Sequence, residues 1–166
     1  GDHNAESVVT LRTGAECPFE ITRIETYHDD CHGAERGMNT LHILDDGVNK
    51  VAHLGDLGCN INEDMSEADI AALTDLDAIL IPVGGTFTID TPQAIDLIKQ
   101  LNPRIAIPMH FRSDYYQFGF DVLTTDDYFV ESCGEVLKKY SYSIETEENQ
   151  LTRVIMLRAE KSIKQK

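Results

Sequence analysis

The chain has little positive charge: 14 Lys and Arg stand against 29 Asp and Glu in 166 residues, a formal charge of −15. Binding to a phosphate backbone or an anionic bilayer needs clustered cations, so this balance argues against nucleic acid or membrane as a partner. It reads first as a solvated acidic surface, with cation binding by some of the carboxylates as the functional alternative. No apolar run approaches the roughly 20 residues of a membrane span, and the first residues show no basic-then-apolar targeting pattern. The expectation is a cytoplasmic protein with a small-molecule substrate. Cys17, Cys31, Cys59 and Cys133 include no close pair of the zinc-finger or thioredoxin kind. They read as reduced thiols without a disulfide framework. For Cys31 and Cys59 a buried structural thiol is favoured over a site-lining one. There is no repeat, no phosphate-binding or dinucleotide fingerprint around Gly84-Gly85, and no Ser or Cys in a nucleophile elbow.

What is present fits a soluble globular domain. Length implies one domain with room for a core, and 42% hydrophobic against 26% charged residues is ordinary for that class. Strands are expected over 7–12, 19–27, 40–44 and 50–54, with Asp45-Asp46-Gly47 as a hairpin turn between the last two. Between the second and third lies a polar, glycine-bearing loop from His28 to Asn39, the kind of segment that often carries function. Ser66 is placed as a helix N-cap, with acids in the first turn. The nearly continuous apolar run over 77–83 predicts a strand covered on both faces. Thr91-Pro92 predicts a helix start by the N-cap and N1 rule, ending at Asn102-Pro103, with Ile95, Leu97 and Ile98 inward. Another buried strand runs from Ile105 to His110. A helix is expected over 125–139, with Tyr128, Phe129, Val136 and Leu137 on its apolar side, then strands over 140–145 and 151–157. Meandering strands followed by strand–helix alternation predict an α/β protein with a mixed sheet.

The candidate chemistry centres on His53-Leu54-Gly55-Asp56-Leu57-Gly58, which follows an apolar stretch and breaks at two glycines. That reads as a strand ending in a sharp turn, with a carboxylate held by rigid backbone. Asp2, His3, His28 and His110 also fall at or near strand ends. Imidazole and carboxylate are ligands of zinc and related divalent ions, and a carboxylate reaching two metals between histidines lowers the pKa of a bridging water. Taken singly, each residue reads better as an ordinary hydrogen-bonded side chain. His42 and His53 fall within strands. His32 is weighed below His28. Asp29 and Asp30 read as loop-shaping residues or as partners of ligands. Phe111, Tyr115, Tyr116, Phe118 and Phe120 follow the candidate His110, and read equally as a substrate-pocket wall or as ordinary packing of a cap.

Taken together, His53-Leu-Gly-Asp56-Leu-Gly58, Pro82-Val-Gly-Gly85 and Ile107-Pro-Met-His110 resemble the metallo-β-lactamase superfamily. Tyr27-His-Asp29 followed by Gly33, Arg36, Gly37 and Asn39 is similar to its branch of metal-dependent hydrolases related to the ascorbate-6-phosphate lactonase. The resemblance covers residues 1–112. It implies a metallo-β-lactamase-like αββα sandwich with mixed sheets, and one or two zinc or related ions (manganese, iron or nickel) at one sheet edge. Asp56 matches the family's bridging aspartate, His110 its last histidine ligand and His28 its middle one. Gly1-Asp2-His3 resembles the tail of His-x-His-x-Asp-His with both leading histidines absent. The resemblance thus implies a single domain over 1–166, the C-terminal two-thirds of the family's domain, lacking the first strands. Asp2, His3, Asp56 and His110 would hold one metal, with His28 left from the second site. An open sheet edge would favour a homo-oligomer. The implied activity is attack by metal-bound hydroxide on an ester, lactone or phosphate-type bond, with Asp56 and His110 catalytic and turnover impaired in a truncated chain. The alternative is a non-catalytic or truncated metal-binding scaffold with an incomplete dinuclear site.

Overall fold

Two alternating segments and a tight turn start the sheet. In the computed structural model, residues 17–114, 119–134, 136–139 and 153–157 are described. Strands β1 (Glu20–Tyr27) and β2 (Met38–Asp45) pair antiparallel, from Glu20 opposite Asp45 to Tyr27 opposite Met38. Strand β3 (Lys50–His53) returns along β2. The hairpin closes through its own acids, as Asp and Asn turns do. Asp46 Oδ1 accepts from the N–H groups of Val48 and Asn49 at 2.9 and 2.7 Å, and Asp45 Oδ1 from that of Gly47 at 2.7 Å.

The chain then switches to parallel pairing through helices. Helices α1 (Ile61–Asp64) and α2 (Glu67–Ala72) lead to β4 (Ala78–Pro82), and α3 (Thr91–Leu101) leads to β5 (Ile105–Met109). Helix α4 (Asp126–Cys133), β6 (Val136–Lys139) and β7 (Arg153–Leu157) complete the described chain. The seven strands form one mixed sheet in the order β1-β2-β3-β4-β5-β7-β6, parallel from β3 onward. Leu41, Ile43, Ala52, Ile79 and Ile81 bury one face of it in a core with Leu73, Leu97, Ile98 and Phe129. Full burial of such a side chain is worth about 1.5–3 kcal/mol. Among the described residues no helix is long and apolar enough to cross a membrane.

Ser66 caps α2 as expected, its side chain accepting from the Asp69 N–H at 3.2 Å. Several expectations need correction. The N-cap of α3 is Asp90, which forms a capping box with Gln93, because a carboxylate one residue earlier can reach the Gln93 N–H at 2.9 Å. Thr91 instead donates its buried hydroxyl to the Val83 carbonyl at 2.9 Å. Ile95 is only half-buried, and Ala94 and Leu101 join Leu97 and Ile98 in the core. The predicted helix over 125–139 stops at Cys133, because Gly134 takes a left-handed φ of 78°, and Val136–Lys139 becomes β6. Helix propensity alone disfavours Gly there by about 1 kcal/mol relative to Ala. Tyr128 is exposed rather than inward, while Phe129 is fully buried. In the apolar run of β4, Ile79 and Ile81 are buried, but Ala78 and Leu80 on the other face are only half-buried. Helix α1, capped by Asn60, is an additional element beyond those the sequence predicts. The strands expected over 7–12 and 140–145 lie outside the described residues.

One consequence of the topology positions the site. Strands β1 and β3 are both antiparallel to β2, and β4 and β5 are parallel to β3. The segments leaving β1, β3, β4 and β5 therefore emerge at the same sheet edge, where open α/β sheets bind ligands. Two of these segments pack backbone to backbone. The Gly58 N–H donates to the Tyr27 carbonyl at 3.0 Å, and a Cβ on Gly58 would collide with the backbone of His28 and Asp29. Gly58→Ala should therefore destabilise the fold by about 1–3 kcal/mol, read from urea unfolding. A variant as stable as its parent would show that these segments are not in contact.

Candidate metal and active site at the strand ends

The turn carrying Asp56 is fixed from inside by one carboxamide. Asn39 is buried at the start of β2, and its Oδ1 accepts the Asp56 N–H at 2.9 Å. Its Nδ2 donates to Thr26 Oγ1 at 2.9 Å and to the Leu54 carbonyl at 3.0 Å. Gly55 packs its Cα against this side chain with a left-handed φ of 58°, so a Cβ would be both strained and obstructed. Leu54 and Leu57, fully buried, anchor the turn on either side, and the Leu57 carbonyl accepts the Ile89 N–H at 2.8 Å. The Asp56 carboxylate is left exposed at the edge.

His110 reaches the same place from β5. It follows the last residue of the strand with a φ of 57°, a conformation that costs a non-glycine residue about 1–2 kcal/mol. Its carbonyl packs against Gly84, where no Cβ would fit. The result is a contact of 3.1 Å between His110 Nδ1 and Asp56 Oδ1. His53, on β3, accepts the Gly55 N–H on Nδ1 at 3.0 Å, which leaves the proton of the neutral ring on Nε2. Burial holds its pKa below the usual histidine value, helped by His110 and His42 and opposed by Asp56. His53 thus supports the turn as a neutral side chain.

The loop after β1 is organised by Asp29. Its buried carboxylate accepts from the N–H groups of Cys31, Gly33, Glu35 and Arg36 at 3.1, 2.6, 3.0 and 2.7 Å, and from the Cys31 thiol at 3.2 Å. Burial alone would raise its pKa. The Arg36 N–H, the thiol and the other N–H groups outweigh that and hold it well below the ordinary carboxylate range. The same contact pushes the Cys31 thiol up. Asp29 therefore shapes the loop, as read from the sequence. His28 is held through its N–H to the Gly37 carbonyl at 3.0 Å. His32 turns elsewhere, with Nε2 at 3.1 Å from Asp64 Oδ1 and its ring edge-on to Tyr27. Cys59 is buried and its thiol pKa is raised, first by that burial.

His28, Asp56 and His110 line one cavity of about 470 Å³, together with Phe87, Thr88, Phe111, Gly119, Phe120 and Leu123. The structure thus brings three of the five predicted site residues together. Asp2 and His3 lie outside the described residues, as do Tyr115, Tyr116 and Phe118. The donor chemistry fits a divalent metal, being imidazole nitrogen and carboxylate oxygen. The set is incomplete, however: among the described residues no three His, Cys, Asp or Glu side chains converge closely enough to hold an ion. The residue whose part in positioning the Asp56 turn the sequence hides is Asn39. Its only signal was its position in the polar motif after β1.

The molecule is thus an α/β protein with imidazole and carboxylate side chains on loops at one edge of a mixed sheet. It belongs to the beta-lactamase superfamily, whose domain model matches residues 7–110. The chain is 28% identical over 121 residues to a metal-dependent hydrolase of Thermoplasma acidophilum, covering 71% of this chain and 50% of that protein. A metal-dependent hydrolase of Metallosphaera sedula is 36% identical over 83 residues, covering 49% and 35% respectively. The chain spans about half the length, or less, of these curated relatives. A crystal structure of a candidate Zn-dependent hydrolase of the metallo-beta-lactamase superfamily from Thermotoga maritima superposes with a TM-score of 0.65 at 27% identity, covering 95% of this chain and 79% of that one. These matches support the superfamily and its metal-dependent hydrolases; they do not single out the lactonase branch.

The Asp29 carboxylate gives a pH test. A folded-state pKa below the unfolded one stabilises the protein fully above the unfolded value of about 3.9, and the effect is lost as pH falls through the folded value. Asp29→Asn should be less stable than the parent at neutral pH, and the gap should narrow in acid. A constant gap from neutral pH to about 2 by urea unfolding would remove Asp29 from the loop's hydrogen-bond network.

Proposed function

We propose that the chain forms the catalytic part of a metal-dependent hydrolase acting on a small molecule, with Asp56 and His110 at the centre of the metal site. The observation that carries this reading is the 3.1 Å approach of His110 to Asp56 in a cavity that also contains His28. In the proposal Asp56 and His110 hold one metal together with Asp2 and His3, and His28, on the loop after β1, is left from the second metal position. Zinc, manganese, iron and nickel all suit these donors. A divalent ion held there would supply Lewis acidity toward an ester, lactone or phosphate-type bond and would acidify a water. The Asp56 carboxylate, exposed at the cavity, is the group placed to take up a proton from that water. Asn39 keeps the carboxylate in position, and the left-handed turn at His110 aims the imidazole at it.

A second reading is a metal-binding scaffold without turnover. It is favoured by the lack of a three-ligand set among the described residues. Metal content separates the two. Protein purified without chelator should carry one or two ions per chain by plasma mass spectrometry and should hydrolyse simple esters or phosphoesters. At most one loosely held ion with no turnover would favour the scaffold.

Two substitutions test the residue roles. Asp56→Ala should abolish metal uptake, and unchanged metal content in a folded variant would refute the assignment. Asn39→Ala leaves Asp56 in place but unsupported, so metal affinity should fall about 10–100-fold in a competition titration with a chromogenic chelator. Affinity equal to the parent's would mean that Asn39 serves folding only.

A further inference from the structure

We propose that the substrate carries an uncharged apolar group, acyl or aryl, next to the bond that is cut, and that Phe87, Phe111, Phe120 and Leu123 receive it. The proposal rests on the hydrolase reading above and narrows its substrate class. The cavity of about 470 Å³ is large enough for a small molecule, since such sites span roughly 300–1,000 Å³. Its lining is divided between the proposed ligands and these four apolar side chains, with Thr88 and Gly119 between them. No Lys or Arg is among the described residues that line it. A phosphorylated or carboxylated substrate would need a cation or a row of N–H donors away from the metal, because an anion buried without them loses its hydration uncompensated. Arg36 does not line the cavity. Its guanidinium is placed 5.7 Å from the centre of the Phe87 ring and 3.3 Å from the Glu35 carboxylate.

The apolar wall is held in place although much of it faces solvent. Phe120 is 70% exposed and Phe87 39%, yet their rings meet edge-to-face at 6.1 Å. The loops that carry them are tied together. Thr86 donates its hydroxyl to the Val122 carbonyl, and the Thr124 N–H donates to the Gly84 carbonyl, both at 2.9 Å. Phe111 packs against the core from the residue after His110. Aromatic rings fixed in advance beside a polar centre bind an apolar group at a smaller entropic cost than mobile ones. Their exposure is relieved when a ligand covers them.

The test uses the full chain and two homologous series. N-methyl alkanamides from butanamide to octanamide, which resist hydrolysis, report binding by calorimetry with and without metal. The p-nitrophenyl esters from acetate to octanoate report turnover. Affinity should rise about two- to fourfold per added methylene, with or without metal, and kcat/KM should rise along the ester series. Phe120→Ser, a change at an exposed position, should flatten the chain-length dependence, and Phe87→Leu should reduce it. Val48→Ser, an exposed apolar residue in the β2–β3 turn, should leave it unchanged. Chain-length-dependent binding without ester turnover would defeat the hydrolase reading and leave the apolar pocket standing. Turnover indifferent to chain length, binding that Phe120→Ser does not affect, or a preference for phosphorylated substrates would overturn the apolar-substrate proposal alone.

Discussion

The carboxamide of Asn39 joins three parts of the chain that meet at the site. It takes a hydrogen bond from Asp56 and gives two, to Thr26 on β1 and to Leu54 at the end of β3. All three bonds are made by a side chain that is largely removed from water. Leaving a buried polar group without its partner costs about 1–3 kcal/mol, so the network is held as a unit. Gly55 is bound to it by geometry, since any larger residue would drive Asn39 out of position. The location of the exposed carboxylate at the sheet edge thus depends on a residue 17 positions earlier in the chain.

The other site segments are fixed by the same kind of device, a backbone approach or a buried acceptor, rather than by bulk packing. Asp29 gathers four N–H groups and a thiol into one loop, which carries His28. Gly58 and Gly84 let neighbouring backbones come together behind His28 and His110. Left-handed conformations at Thr86 and His110 lie beside the cavity and cost about 1–2 kcal/mol each. Such strain persists where the surrounding structure enforces it. Here the hydrogen-bonded ends of β4 and β5 do so, the Val83 N–H donating to the Met109 carbonyl at 3.1 Å. The apolar and polar parts of the cavity are consequently set against each other by loops anchored in one sheet.

Much of this fold was legible in the sequence because alternation and turn chemistry are local. The first hairpin, the Ser66 cap, the stop at Asn102 and the strands before Asp56 and His110 follow from residues within a few positions of each other. The misreadings came where local signals competed. An apolar pattern ran across Gly134 and suggested a helix that the glycine ends, and two adjacent residues could each have capped α3. His28, Asp56 and His110 stand out as candidates through their positions near strand ends together with the family resemblance, and all three line one cavity. The roles of Asn39 and Gly55 were hidden, because a buried asparagine looks like a loop residue until its partners are known.

By itself the sequence determined most of the element types, the net negative charge and which side chains have cation-binding chemistry. Each of these rests on composition or on contacts a few residues apart. Only the tertiary structure decided that the segments after β1, β3, β4 and β5 leave the same edge, since strand direction depends on pairing between distant segments. It also decided that His110 meets Asp56, that His32 turns to Asp64 instead, and that four apolar side chains share the cavity. Distances between residues far apart in the chain are set by packing, and packing is a property of the folded whole.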